Sequence, residues 1–260
     1  MKNIRKFLCL ALALIMVLSL AACGSKSDDA QDNNDDAQQT AGQPIEGGTF
    51  VYAIEEPITS LNWYNNNSTD LGKQVFSNLY DPMWKNNVDG SLDYRLAKNV
   101  DISEDGTTYT LTLRDDIYWS DGEKITTGDI VFTLDTLVEP EVAPSTASGY
   151  KVDGEFCSYE KVSDTEIVFT IGRASNLFKK ALGALYVLPA HCFEGVAATE
   201  VLTCEQNDTI ATSGAFVVDS FNVGEKLVCV KNDKYYRTPA HIDGFEVRCV
   251  SDAGTQEIAF

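Results

Sequence analysis

An uncharged run of hydrogen-bonding side chains occupies residues 64–69. It contains one phenol, three amides and two hydroxyls, from Tyr64, Asn65, Asn66, Asn67, Ser68 and Thr69. Such groups donate and accept hydrogen bonds at neutral pH, so they can pair with the polar groups of another molecule. The run has no carboxylate, histidine, amine or thiol for catalysis, and it is therefore suited to recognising another molecule. A solvated turn would have the same composition, and both interpretations stay open on these residues alone.

The chain shows no arrangement of residues for catalysis. Neither GxSxG nor HExxH occurs, and no Cys-His arrangement for nucleophilic catalysis is found. His191 and His241 are the two histidines, and neither has a second imidazole at ligand spacing. We therefore predict that both are structural, that the chain is not an enzyme, and that it holds no metal and no cofactor.

Five of the seven cysteines lie in the body of the chain, at Cys157, Cys192, Cys204, Cys229 and Cys249. Their spacings match no zinc pattern, and an odd number leaves at least one thiol unpaired in a monomer. Export would permit a disulfide without requiring one. We expect these cysteines to serve as small buried hydrophobic side chains, and no particular pairing is predicted.

The first residues have the features of an exported lipoprotein. Lys2, Arg5 and Lys6 precede an apolar run over residues 7–20, which is too short to favour a permanent transmembrane helix. The following Leu-Ala-Ala-Cys sequence resembles a bacterial lipoprotein processing site. Residues 1–22 are therefore predicted to be a signal peptide. Cys23 would carry diacylglycerol and anchor the protein on the outer side of the bacterial cell membrane.

Residues 23–47 are polar and acidic and have no apolar period, which predicts a disordered tether behind the lipidated cysteine. A flexible coil of this length reaches roughly 25 Å. The formal charge of the chain is −19, and it becomes −22 without residues 1–22, which hold three cations and no acid. Because so acidic a surface repels polyanions, no binding of nucleic acid is expected.

Residues 106–137 carry the clearest structural signals. Tyr109, Leu111 and Leu113 alternate with threonines, which predicts a strand with one buried face. The sequence Trp-Ser-Asp-Gly at 119–122 predicts a tight turn, and we expect the ring of Trp119 to pack in the core. A helix should follow from an N-cap at Thr126, with an apolar face made of Ile130, Val131, Leu134, Leu137 and Val138.

The remaining elements follow from the same patterns. Strands are predicted over residues 47–54, 167–171 and 242–248. One amphipathic helix should bury Leu71, Val75, Phe76, Leu79 and Tyr80 and end at Asp81-Pro82. A second helix, capped by Ser175, should bury Leu177, Phe178, Ala181, Leu182 and Leu185.

The stretch of residues 106–137, here called the central stretch, resembles the family-5 extracellular solute-binding proteins. These are the dipeptide, oligopeptide and nickel receptors of ABC importers. In that family a strand ending in Leu-Arg leads to a Trp-Ser/His-Asp-Gly turn and then to a Thr-x-x-Asp-Val helix start. Residues 113–114, 119–122 and 126–130 match these motifs in order and spacing. Weaker matches at 60–62, 189–191 and 232–236 extend the resemblance over residues 48–260, although Ala215 stands where the family usually has proline.

The resemblance implies an α/β fold of the periplasmic-binding-protein type II class. Only the N-terminal half of such a receptor is expected here, that is, a discontinuous N-terminal lobe with an inserted subdomain, the second lobe being missing. Residues 48–80 and 200–260 would form the hinge-side subdomain, and residues 81–199 the inserted subdomain. The segment 255–260 resembles the opening of a helix that leads to the second lobe.

The resemblance also implies a site and a function. In peptide-binding relatives the loop after the first strand bonds to the main chain of the ligand, which makes residues 64–69 candidate ligand-binding residues. Tyr150 corresponds to a ligand-facing tyrosine at the end of another loop. The implied protein is a monomeric lipoprotein that captures oligopeptides and delivers them to ABC permease subunits. Nickel chelates, oligosaccharides or a sensory or pheromone signal stay open as alternative ligands.

Overall fold

The computed structural model describes residues 44–66, 69–140, 142 and 145–250. The predicted signal peptide, the lipidation site at Cys23 and the tether up to residue 43 lie outside the described residues. So do Asn67, Ser68 and the segment 255–260. Among the described residues, no helix has the length and apolar character needed to cross a membrane.

Twelve strands and four helices lie in the described residues. In chain order they are β1 (Thr49–Ile54), α1 (Trp63–Asn66), α2 (Asp70–Phe76), β2 (Trp84–Asn86), β3 (Leu92–Tyr94), β4 (Ala97–Ile102), β5 (Thr108–Leu113), α3 (Thr127–Val138), β6 (Lys151–Val152), β7 (Glu155–Phe156), β8 (Ser158–Lys161), β9 (Glu166–Thr170), α4 (Asn176–Gly183), β10 (Phe216–Asn222), β11 (Lys226–Lys231) and β12 (Gly244–Cys249). Short 3₁₀ turns occupy Ser145–Tyr150, Ala190–Phe193, Ala198–Glu200 and Glu205–Asp208.

The first sheet joins the two ends of the described chain. Its strand order is β1-β12-β11-β10, and β1 runs parallel to β12 whereas the other pairs are antiparallel. Ile54 pairs with Cys249, so the carboxyl ends of the two parallel strands lie side by side. The segment that follows β1 therefore begins at this edge of the sheet.

The second sheet carries the central stretch. Its order is β4-β5-β9-β8, all antiparallel. The residues of β5 are alternately half-buried and buried, as the Thr alternation predicts. Asp121 accepts a hydrogen bond from the Glu123 amide, and Gly122 has a φ of 102°, so residues 119–122 form the predicted turn. Thr126 and Asp129 form a capping box at the start of α3, which confirms the predicted helix start.

Three predicted core residues prove to be exposed. Leu71, Val138 and Leu177 expose 40%, 43% and 62% of their surface. Leu71 and Leu177 lie in the first turns of α2 and α4, and Val138 is the last residue of α3, so each is at a helix end that the core does not cover. The helix expected to run to Tyr80 ends at Phe76.

Two threonines form part of the buried face of α3, a face to which the apolar pattern had assigned valines. Thr133 and Thr136 are buried, because each hydroxyl donates to a carbonyl one turn earlier in the helix and so satisfies itself locally. Thr133 Oγ1 also accepts from the Leu188 amide, which connects α3 to the segment that follows α4. A polar residue can therefore occupy a core position that an apolar pattern does not reveal.

All five cysteines among the described residues are free thiols. Cys157 and Cys229 are buried as expected, whereas Cys192, Cys204 and Cys249 are only half-buried. The described residues, from Pro44 to Val250, belong to one compact unit. Its division into a hinge-side subdomain (48–80 and 200–260) and an inserted subdomain (81–199) stays a prediction.

Candidate functional site

The segment after β1 is held rigidly by buried aromatic and aliphatic side chains. Ile58 and Leu61 are buried, and the ring of Trp63 in α1 stacks on that of Tyr186 with centroids 3.5 Å apart. Because open α/β sheets bind ligands at the carboxyl ends of their strands, the edge formed by β1 and β12 is where a site is expected. The polar run at 64–69 begins ten residues after the end of β1.

Asn62 organises the polar loop from inside. It is fully buried, its Nδ2 donates to Asn207 Oδ1 at 2.8 Å, and its Oδ1 accepts from the Tyr64 amide at 2.9 Å. Asn207 in turn donates to Val201 O at 2.8 Å. Asn62 is not among the predicted site residues, although it lies in the family match at 60–62. Its role could not be predicted locally, because its partner Asn207 lies 145 residues away.

The amide donors of Asn65 and Asn66 are used within the protein. Asn65 Nδ2 donates to Ser60 Oγ at 3.0 Å and to Leu202 O at 2.9 Å. Asn66 Nδ2 donates to the carbonyl oxygens of Ser60 and Asn62, each at 2.8 Å. No partner of either Oδ1 is found among the described residues. The two side chains are therefore held in place by their donors, and within the described residues their acceptors have no partner.

A surface depression of about 120 Å³ lies against this loop. Asn65, Asn66 and Thr69 line it together with apolar Ile58 and Leu71, and its one charged residue is Glu56. Thr69 Oγ1 already accepts from the Gly72 amide as the N-cap of α2, so its own proton can be donated outward. The depression thus combines hydrogen-bonding groups with an apolar wall.

Tyr64 and Tyr150 are placed differently from the other candidates. Tyr64 is 7% exposed and its hydroxyl donates to Tyr186 O at 2.8 Å; Tyr150 is 3% exposed and donates to Ala181 O at 3.2 Å. Burial raises the pKa of both phenols. Neither side chain lines the depression, and both act in the core of this structure. Their predicted contact with a ligand gains no support from this placement.

A second, larger cavity of about 460 Å³ lies beside β10. It is lined by Asp121 of the turn at 119–122, by residues 208–212 and by residues 217–221. Ser120 and Thr212 fix its rim, because the Ser120 amide donates to Thr212 O at 2.8 Å and the Thr212 amide donates to Ser120 Oγ at 3.0 Å. Among the described residues, this cavity and the depression at Asn65 share no lining residue, so the two are separate.

Comparisons with known proteins agree on one family. Residues 92–260 match the family described as bacterial extracellular solute-binding proteins, family 5 Middle. The oligopeptide-binding protein AppA of Bacillus subtilis is 28% identical over 257 residues, which cover 96% of this chain and 45% of the relative. The chain thus spans less than half the length of this relative.

Solved structures show the same fold. The ABC transporter substrate-binding protein CtaP of Listeria monocytogenes superposes with a TM-score of 0.73 at 25% identity, over 82% of this chain and 43% of that one. AppA of Bacillus subtilis, solved with a nonapeptide, gives a TM-score of 0.70 at 22% identity, over 83% of this chain and 42% of that one. The described chain therefore has the periplasmic-binding-protein fold of family 5, as the central motifs predicted.

Proposed function

The chain belongs to the bacterial extracellular solute-binding proteins, family 5, and on that premise we propose that it binds oligopeptides outside the cytoplasm and delivers them to an ABC transporter. The observation that carries the proposal is the pair of Asn65 and Asn66 beside the depression: their donors are bonded internally, and their Oδ1 acceptors have no partner among the described residues. The relative AppA, named as oligopeptide-binding, supports the choice of ligand.

An extended peptide suits this surface chemically. Its backbone offers N–H donors at regular intervals, and amide oxygens are neutral acceptors for them. Ile58 and Leu71 offer an apolar wall that a side chain of the peptide can cover. Because the chain spans less than half of its relatives, we propose that the other side of the peptide is covered by a second lobe, and that affinity comes from closure of the two lobes.

The proposal predicts that loss of the two acceptors weakens peptide binding. Asn65→Ala and Asn66→Ala would each leave a peptide N–H unpaired in a desolvated contact, which costs about 1–3 kcal/mol, or roughly a 5- to 150-fold loss of affinity. Calorimetry of the full-length protein, with its second lobe, and a mixed peptide pool measures this. Asn87→Ala is the matched control, because Asn87 is an exposed amide that bonds to Ser91 in a turn elsewhere.

A backbone change provides a second test of the same site. An added Cβ at Gly72 would lie 2.0 Å from Asn66 O, so Gly72→Ala must displace the loop. Peptide affinity should fall again, whereas Gly172→Ala, where the added Cβ meets nothing within 4 Å, should leave it unchanged. If all of these variants bind peptide like the wild type, the ligand does not meet this loop and the proposed site is wrong.

We also propose that Cys23 carries a lipid anchor that holds the protein on the outer face of the membrane. The sequence Leu-Ala-Ala-Cys and the short apolar run before it support this proposal. Metabolic labelling with palmitate should mark the protein, and Cys23→Ala should abolish the label. Equal labelling of the variant would remove the lipoprotein assignment while leaving peptide binding untouched.

A further inference from the structure

Three side chains with different metal-binding atoms converge beside the larger cavity. Asp121 lies in the turn after β5, and His191 and Cys192 are neighbours in the 3₁₀ turn Ala190–Phe193. His191 Nε2 is 2.7 Å from Asp121 Oδ2 and 3.5 Å from Cys192 Sγ. All three ligand atoms lie within 4.8 Å of one another, and no other such group of His, Cys, Asp or Glu is found among the described residues.

The backbone around each of the three side chains is fixed by hydrogen bonds. Asp121 Oδ1 accepts from the Glu123 amide at 3.1 Å, which leaves Oδ2 free to face the imidazole. The turn of Asp121 is joined to residue 212 through Ser120. On the other side, the amide of Ala190, next to His191, donates to the buried Asp129 Oδ1 at 3.0 Å. The cluster is therefore built on two immobilised segments.

The geometry suits a tetrahedral cation. Zn²⁺ binds N, O and S atoms at about 2.0–2.3 Å, so that neighbouring ligand atoms lie roughly 3.3–3.7 Å apart. The distance from Cys192 Sγ to His191 Nε2 already has this value. The distance from His191 Nε2 to Asp121 Oδ2 would have to open by roughly half an ångström, which a small rotation of the exposed Asp121 side chain provides.

We propose that Asp121, His191 and Cys192 form a three-ligand site for a divalent cation of the zinc class. Nitrogen, oxygen and sulfur donors together favour Zn²⁺ over Mg²⁺ or Ca²⁺, which prefer oxygen ligands alone. The side chains of His191 and Asp121 are 30% and 42% exposed, so a fourth position is open to water. The site shares no residue with the depression at Asn65, and the cation would be resident in the protein and not its transported ligand.

The second histidine provides the contrast. His241 is also paired with a carboxylate, because its Nδ1 lies 2.6 Å from Glu46 Oε1. Among the described residues, however, no thiol or further acid joins that pair. The sequence pointed away from metal at His191 because no second imidazole stands at ligand spacing. The fold supplies a carboxylate from 70 residues away and the adjacent thiol instead.

Cobalt titration of the purified, metal-free chain under reducing conditions tests the proposal. One equivalent of Co²⁺ should produce the near-ultraviolet charge-transfer absorption of a cobalt thiolate, and Zn²⁺ should displace it. His191→Gln should lower the affinity for Co²⁺ by at least roughly 10- to 100-fold. This is the loss seen when a residue that only hydrogen-bonds to a metal ligand is removed. Cys192→Ser should remove the absorption. His241→Gln and Cys204→Ser are the matched controls and should leave both signals intact.

Thermal unfolding separates loss of the site from loss of the fold. Zn²⁺ should raise the melting temperature of the wild type and of both controls, because a ligand that binds only the folded state stabilises it. At the same Zn²⁺ concentration it should raise that of His191→Gln or Cys192→Ser much less, each compared with its own metal-free melting temperature. Absence of a thiolate absorption in the wild type, or its survival in Cys192→Ser, would show that the three residues form an ordinary ion pair with a neighbouring thiol.

Discussion

Trp119→Ala should lower the free energy of unfolding by about 3–5 kcal/mol, the usual cost of truncating a fully buried aromatic side chain. The ring is 1% exposed and belongs to the hydrophobic core. It is anchored at the backbone as well, because the Trp119 amide donates to Glu123 O at 2.8 Å across the central turn. Chemical denaturation with the midpoint and slope both fitted measures the effect.

Two neighbouring changes make the result specific. Tyr118→Ala alters the adjacent side chain, which is 47% exposed, and should change stability little. Trp119→Phe should recover part of the loss, since the indole Nε1 is buried and has no hydrogen-bond partner among the described residues. If Trp119→Ala leaves stability unchanged and alters peptide affinity instead, the ring is a cleft residue and its assignment to the core is wrong.

Asp81→Ala should cost about 3 kcal/mol, because it removes the anionic member of a buried polar network. Asp81 is 3% exposed, and its Oδ2 accepts from the hydroxyls of Tyr235 and Tyr236 at 2.6 and 2.8 Å. Arg95 lies 3.7 Å from Oδ1 and keeps a second partner in Asp93 at 2.7 Å. Because Arg95 keeps Asp93 as a partner, the expected loss of stability lies at the lower end of the range for breaking a buried ion pair.

The network joins parts of the chain that are far apart in sequence. Tyr235 and Tyr236 lie more than 150 residues from Asp81, so its loss should loosen the segment after β11. Arg173→Ala is the control, because it breaks an exposed pair with Asp153 and should hardly change the melting temperature. An equal effect of the two substitutions would mean that the buried network contributes no more than a surface ion pair.

Local sequence signals were sufficient for the central stretch. The alternation in β5, the turn at 119–122 and the capping box of Thr126 with Asp129 each depend on residues a few positions apart, and all three are present in the structure. Helix ends were less predictable. Leu71 and Leu177 fit the apolar period, but the core does not extend to the first turns of their helices.

Long-range pairing could not be read from local patterns. The parallel register of β1 with β12 joins residues 195 positions apart, and the cluster of Asp121 with His191 and Cys192 spans 70 positions. The polar loop itself was identified through family resemblance. Which of its atoms are available could be seen only after folding, because the donors of Asn65 are bonded to Ser60 and to distant Leu202.

We propose that the loop after β1 forms one wall of a peptide site that a second lobe completes. A peptide bound to one wall keeps much of its surface in water and still loses its translational and rotational freedom. The 260-residue chain alone should therefore bind a peptide pool no more tightly than about millimolar, or roughly 4 kcal/mol.

Nuclear magnetic resonance titration of the ¹⁵N-labelled chain with that pool measures both the affinity and the place of binding. We expect weak binding, with chemical-shift changes concentrated at residues 56–72 and reduced in Asn65→Ala. Micromolar binding by this chain alone, or shifts centred on the cavity lined by residues 208–221, would contradict it.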